Sequence, residues 1–314
     1  MTYGKFAPFI HTDKTASYME VSFLIALLPC VSYAVFKYGL RALVLILSSA
    51  VLTVLFSMLF SKDHKKVKLS NISSGIVFAL MLPPETSLLI VITASAFMAF
   101  ASDVLFGGTA FMPVNNPVAA RILVELMWPE HLKGFTEGSN HWFALKSLVS
   151  FSRTTSSVAS QVDDYHIAEL LTDGYPSYIG MCSVIMLLIG MIYLFHSVTV
   201  RNAAPAGYLV AVIVIRTALH FKDGIKSNVT FLLVSGIFFV ALYLLTDRAT
   251  IPQNRIGGTV TGIICGILTV GAFEITSGIL PLCVPVISVN IISGIIEYLT
   301  SDASERHAIV KEEA

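Results

Sequence analysis

Charge is the first thing this chain is short of. Only 13% of its 314 residues are Asp, Glu, Lys or Arg, about half the share that a soluble domain of this length uses to cover its surface. An ordinary water-soluble globule is excluded on that count, and the 55% of hydrophobic residues and mean hydropathy of +0.78 agree. There is no excess of one sign either. Twenty basic residues balance 20 acidic ones, so no positive field exists to collect phosphates, and nucleic-acid binding is excluded as a main activity. Cysteine is scarce: Cys30, Cys182, Cys265 and Cys283 lie in separate apolar runs, without CxxC spacing or a neighbouring His. They offer neither a zinc site nor a disulfide framework and read as small buried hydrophobes. A Walker loop, a GxGxxG turn, an HExxH pair and a nucleophile elbow are all missing, which argues against a soluble enzyme. The polar opening, residues 1–19, has no apolar leader core, so the first hydrophobic run is expected to stay as a membrane span.

What the chain has in quantity is long apolar stretches. They fall at roughly 20–37, 41–60, 70–83, 87–106, 113–128, 178–197, 204–219, 227–246, 257–275 and 278–299, each a candidate to cross about 30 Å of hydrocarbon. The fold expected is an all-α integral membrane protein of about ten transmembrane helices. The third, fifth and seventh stretches are short or interrupted by Pro and Gly, which a membrane tolerates only where the broken backbone is buried in protein or lines a cavity. Lys62, Lys65, Lys66 and Lys68 form the densest basic cluster and follow the second stretch. By the positive-inside rule that loop is cytoplasmic. Both termini, 1–19 and 300–314, are then cytoplasmic, and the long loop 129–177 lies outside.

Two segments echo each other. Ser70-Asn71-Ile72-Ser73 followed by Ser74-Gly75-Ile76-Val77-Phe78 resembles Ser227-Asn228-Val229-Thr230 followed, four residues later, by Ser235-Gly236-Ile237-Phe238-Phe239. They open the third and eighth stretches. Five crossings separate them, an odd number, so the second copy runs through the membrane in the opposite sense. The expectation is two inverted five-helix repeats, 20–128 and 178–299, with the functional path at their interface.

Ionisable and amide groups at membrane depth are functional candidates because hydrocarbon disfavours them. Asp103, Asn115, Asn116, Arg121, Glu125, Arg216, His220, Asp247, Glu274 and Asn290 lie within or beside the stretches. Arg121 and Glu125 are four apart on one helical face and are placed to pair with each other. Most of the others sit near a stretch end, where long side chains reach the interface.

Several blocks in order resemble one family, that of the D subunit of the Rnf electron-transport complex, related to the B subunit of the sodium-pumping NADH:quinone oxidoreductase. They are Ala7-Pro8-Phe9-Ile10-His11, Ala26-Leu27-Leu28-Pro29, Tyr38-Gly39-Leu40-Arg41-Ala42-Leu43, Leu80-Met81-Leu82-Pro83-Pro84, Leu105-Phe106-Gly107-Gly108, Asn116-Pro117-Val118-Ala119-Ala120-Arg121, Leu244-Leu245-Thr246-Asp247 with Pro252, and Gly262 to Thr269. The likeness covers nearly the whole chain. It departs at Asp103, where relatives tend to carry Lys, and at Leu280-Pro281-Leu282-Cys283-Val284-Pro285, which lacks the family's usual Gly-Tyr-Pro-rich entry.

The resemblance implies a membrane subunit of an ion-translocating oxidoreductase, not catalytic alone, in the plasma (inner) membrane. It implies partners, the A, B, C, E and especially G subunits of the Rnf complex, and coupling of ferredoxin-to-NAD electron transfer to Na+ or H+ movement. The family usually carries FMN joined through its phosphate to a hydroxyl in an Asp-x-x-Ser/Thr-Gly/Ser-Ala-Thr motif on the outer side. Here the nearest match is Thr154-Thr155-Ser156-Ser157-Val158-Ala159-Ser160, in the outer loop. Ser160 stands as the acceptor, Ser157 fits, Thr154 replaces the aspartate and Val158 a small residue. Such a flavin would pass electrons between an iron–sulfur centre in the membrane and the flavin of the neighbouring G subunit. A second, non-covalent flavin such as riboflavin between helices is compatible with the family. An ion path is expected near Gly75, Asn116, Gly236 and Asp247. The alternative is a stand-alone inverted-repeat channel or carrier for an ion or small polar solute, without flavin, since a fold does not fix a function.

Overall fold

The computed structural model describes residues 16–61, 68–108, 112–132, 171, 177–196, 203–247, 249–252 and 254–312. Among the described residues every regular element is helical and no strand occurs. The helices are α1 (Ala16–Tyr38), α2 (Leu40–Phe60), α3 (Leu69–Leu80), α4 (Leu88–Ala99, continued as a wider turn over Phe100–Leu105) and α5 (Asn116–Met127). The second half has α6 (Val184–His196), α7 (Ala203–Leu219), a broken pair α8a (Gly224–Val234) and α8b (Ile237–Leu244), α9 (Arg255–Ile275) and α10 (Leu280–Glu312).

By length and apolarity five of these can cross a membrane: Ser17–Tyr38, Leu40–Phe60, Leu88–Leu105, Arg255–Ile275 and Leu280–Ser301. The pair α8a and α8b makes a sixth if its halves count as one span. The side chains are distributed for lipid rather than water. In α2, Leu47, Val51, Leu55 and Leu59 recur at four-residue spacing along an exposed face, while Ser49, Thr53 and Ser57 point into the protein. A water-soluble helix shows the reverse arrangement. The same holds for α9, which exposes Ile256, Ile263, Ile267 and Leu268 and buries Thr261, Cys265 and Thr269. All four cysteines are buried and free, as their apolar settings suggest.

Helix contacts repeat between the halves. α2 packs on α4 and α4 on α5; α7 packs on α9 and α9 on α10. Across the halves α1 lies against α6 and α5 against α10. A close seam joins α7 and α9. A Cβ at Gly262 would stand 2.9 Å from Tyr208 N and closer still to Ala204 O, so only glycine lets the two backbones meet there.

The interruptions are not all where the sequence puts them. α3 and α5 are indeed short, 12 residues each, and the seventh stretch is also short of a membrane-length span, a helix of 17 residues that Pro205 and Gly207 do not break. The eighth, read as continuous, bends by 51° between α8a and α8b. Gly236 causes it: its φ of 79° is left-handed, a conformation that ends α8a and restarts the chain in a new direction. Hydropathy alone hides this, because apolar residues flank the break on both sides. α10 also runs on beyond the tenth stretch to Glu312.

Candidate functional site

The candidate ion-path residues do not form one constellation. Gly75 is a packing residue inside α3, where a Cβ would come within 2.8 Å of Ala50 Cα in α2. Ser49 Oγ donates to its carbonyl at 2.7 Å. Gly236 sits at the α8 bend against Met181 and Leu282. The identical Ser-Gly pairs of the two echoing segments thus have different backbone roles.

Asn116 and Asp247, by contrast, come to neighbouring positions. The irregular stretch before α5 ends at Asn115, and α5 starts at Asn116 with Pro117, whose fixed φ suits a first helical turn. Asn115 Nδ2 donates to Asp247 Oδ2 at 3.4 Å. Asp247 follows α8b in a turn, and it also accepts from Ala249 N at 3.0 Å and Thr250 Oγ1 at 3.4 Å. Burial pushes its carboxyl above the ordinary carboxylate value, against the lowering effect of those two donors. Asn290 of α10, with its amide oriented to satisfy both neighbours, accepts from Asn115 N at 3.0 Å and donates to Val286 O at 3.2 Å. Asn116 Nδ2 donates to Met98 O at 2.9 Å. Asn115 and Asn116 each keep a buried side-chain oxygen without a hydrogen-bond partner. Beside Asp247, Glu20 at the start of α1 feels that carboxylate through space and accepts from Ser73 Oγ of α3 at 2.9 Å.

The result is a set of oxygen donors around a protonatable carboxylate, gathered where α1, α3, α5 and α8b present their ends. Oxygen ligands of this kind favour a hard cation over a soft one, and irregular backbone at depth is where membrane proteins place such sites. Among the described residues no group of three or more His, Cys, Asp or Glu could hold a metal ion. Glu20, Ser73 and Thr250 escape the sequence reading. The only signal for Glu20 is an acid placed at the edge of an apolar run.

The remaining charged candidates are paired. Arg121 is fully buried, its Nη1 2.6 Å from Glu125 as the spacing predicts and its Nε donating to Met81 O at 3.1 Å. Asp103 pairs with Lys68, and Glu274 with Arg216 and His220. Thr154, Ser157 and Ser160, the candidate flavin segment, lie outside the described residues.

The chain is 28% identical over 270 residues to the D subunit of the Na(+)-translocating ferredoxin:NAD(+) oxidoreductase complex of Acetobacterium woodii, covering 82% of this chain and 80% of that protein. It is 27% identical over 251 residues to the D subunit of the ion-translocating oxidoreductase complex of Methanosarcina acetivorans, covering 79% and 77%. To the D subunit of the proton-translocating ferredoxin:NAD(+) oxidoreductase complex of Clostridium ljungdahlii it is 22% identical over 278 residues, covering 84% and 83%. A family model matches residues 4–304, from the opening segment through the last membrane-length helix, and on that match the chain belongs to the NQR2, RnfD, RnfE family.

Proposed function

We propose that the chain is the D subunit of an Rnf-type ion-translocating ferredoxin:NAD oxidoreductase of the plasma (inner) membrane, working with the A, B, C, E and G subunits and not turning over substrate alone. The match over residues 4–304 carries this, since relatives aligned over most of their length are named as that subunit. Both termini face the cytoplasm, and ten crossings form two inverted five-helix repeats. The recurrence of the α2–α4–α5 contacts in α7–α9–α10 supports that arrangement, as does the pairing of α1 with α6 and α5 with α10.

Cation movement, of Na+ or H+, passes the Asp247 cluster. Asp247 takes up the charge or the proton, and the free oxygens of Asn115 and Asn116 replace part of a hydration shell. Gly75 holds α3 against α2, and Gly236 bends α8 to bring Asp247 inward. Ser160 is the acceptor for FMN through a phosphoester, with Ser157 and Thr154 in the segment that a flavin transferase grips. The flavin, when attached, supplies the electron chemistry, while the chain supplies position and electrostatics. A riboflavin between helices would be additional.

The test is the mass of the tryptic peptide beginning at Thr154, released by cleavage after Arg153, from protein made with its flavin transferase. An added FMN less water on Ser160 is expected. Its absence removes the covalent flavin from the proposal. A second function draws on the same cluster, Asp247 with the unpartnered side-chain oxygens of Asn115 and Asn116. A stand-alone carrier would move a cation into vesicles holding only the purified chain, without flavin or partners; the subunit proposed here would not.

A further inference from the structure

Two polar clusters outside the Asp247 site occupy equivalent places in the two halves. In the first, Ser57 near the end of α2 receives a hydrogen bond from Asn71 Nδ2 of α3 at 2.5 Å and donates to Asp103 in the last turn of α4. Lys68, the residue capping α3, completes the cluster with Nζ 2.6 Å from Asp103 Oδ1. In the second, Arg216 near the end of α7 and His220 just beyond it lie 3.2 and 2.8 Å from Glu274 Oε1 in the last turn of α9. Asn228 of α8a donates to His220 O at 3.2 Å. Each cluster thus ties the end of the second helix of its half to the start of the third and the end of the fourth. Asn71 and Asn228, matched by sequence, each bond to the close of the preceding helix, Asn71 to the Ser57 hydroxyl and Asn228 to the His220 carbonyl.

The clusters lie at opposite ends of the bundle. The first shares the α3 end with Ser73, Glu20 and Asp247, and Asp247 follows the end of α8b. The second sits at the start of α8a, about 30 Å of helix away at 1.5 Å per residue. They also differ in state. The Asp103 carboxylate is 1% exposed, enclosed by Lys68 and Ser57, whereas the Glu274 side chain is 44% exposed at the surface of the chain. Exposed pairs contribute little to stability. One carboxylate is enclosed and the other lies open at the surface of the chain.

We propose that these clusters are latches that close the two ends of the bundle in alternation, this structure holding the Asp103 latch shut and the Glu274 latch slack. The proposal rests on the inverted-repeat arrangement proposed above. Two halves that rock against each other exchange conformations, so the tight geometry of one cluster becomes available to its counterpart. Passage past Asp247 would then open to one side at a time.

The test fixes one latch and watches the other in the full chain within its membrane complex. His220→Cys with Glu274→Cys, bridged by a short bifunctional thiosulfonate, shuts the second latch. The four native cysteines are buried and stay out of the reaction. Hydrogen–deuterium exchange around Asn71 and Asp103 is expected to quicken about tenfold, within the usual range of coupling between two sites, and to return when the bridge is reduced. Unchanged or slower exchange there overturns the proposal, because independent struts do not respond to each other.

A second set of variants does not depend on the bridge. Lys68→Met should unseat the first latch and slow exchange around Arg216 and Glu274, while the swap of Lys68→Asp with Asp103→Lys should restore the native rate. If exchange at the second end ignores both, the latches are not coupled. The exchange measurement needs neither flavin nor cargo, so its failure is distinct from failure of the oxidoreductase assignment, which the Ser160 peptide mass decides.

Discussion

The α7–α9 seam and the Asp247 cluster are built on opposite principles within one bundle. The seam brings small residues together until backbone meets backbone, with Gly262 against Ala204 and Tyr208 and Gly266 against Ala211. Nothing there can rearrange without separating the helices. The Asp247 cluster instead joins helix ends through hydrogen bonds of 3.0 to 3.4 Å and leaves amide oxygens unpartnered. A membrane protein gains little by moving apolar surface from lipid into protein, so it obtains rigidity from close packing. It can then tolerate incompletely satisfied polar groups where a charge must be handled.

The seam is the easier of the two to break. Gly262→Leu forces a side chain into Ala204 O and Tyr208 N, which are backbone atoms with no rotamer to change. We expect destabilisation of about 3 kcal/mol or more, the upper range for overpacking, seen as a lowered melting temperature in detergent and loss of assembled complex. Gly271 on the same helix has open space around it. Gly271→Leu should therefore melt like the native protein, and equal losses at both positions would mean that helix propensity, not the seam, sets the effect.

Arg121 stands between the two regimes, a charge fixed in a well-packed place. Arg121→Leu leaves Glu125 without its partner and Met81 O without its donor. The expected loss is about 2 kcal/mol, below the usual figure for breaking a buried pair because the Glu125 side chain is 16% exposed and not fully enclosed. Glu125→Leu added to it should recover part of that loss, since the stranded carboxylate is then gone. A double variant as unstable as the single would assign the loss to packing alone.

How far these features can be read in the sequence depends on the range of the interaction that makes them. Helix positions follow from apolar length, and the Arg121–Glu125 pair from a four-residue spacing, because both are local. The α8 break is carried by Gly236, whose letters match Ser74-Gly75, and only the surroundings decide that one glycine packs inside a helix while the other turns left-handed. Lys68 meets Asp103 from 35 residues away, and Asn115 meets Asp247 from 132. Contacts of that separation have no periodic signature. Asp103 stands out in the sequence as an acid at the end of an apolar stretch and as a departure from the family's usual Lys, with no sign that Lys68 neutralises it.

At Asp247 the smallest stability effect and the most specific functional effect should coincide. Burial holds its carboxyl above the ordinary value of 3.8, so the folded chain keeps a proton that the unfolded chain has released. In the pH interval above 3.8 the folded state therefore binds more protons, and this group's contribution to stability falls as pH rises until its own folded value is passed. Asp247→Asn keeps the shape and removes the titration. The variant should melt within about 1 kcal/mol of the native protein, on the stable side at neutral pH, and its melting temperature should lose that part of the pH slope. Cation transport by the assembled complex should fall by roughly tenfold or more, a loss of at least about 1.4 kcal/mol in the coupled step, while flavin content is unchanged. Asn115→Asp, which sets a second carboxylate against the first, should raise the apparent pKa of the pair, because two like charges at hydrogen-bond distance resist joint ionisation. If transport survives Asp247→Asn with its native pH profile, the cation passes elsewhere, and the loosely bonded helix ends are a structural joint with no more function than the glycine seam.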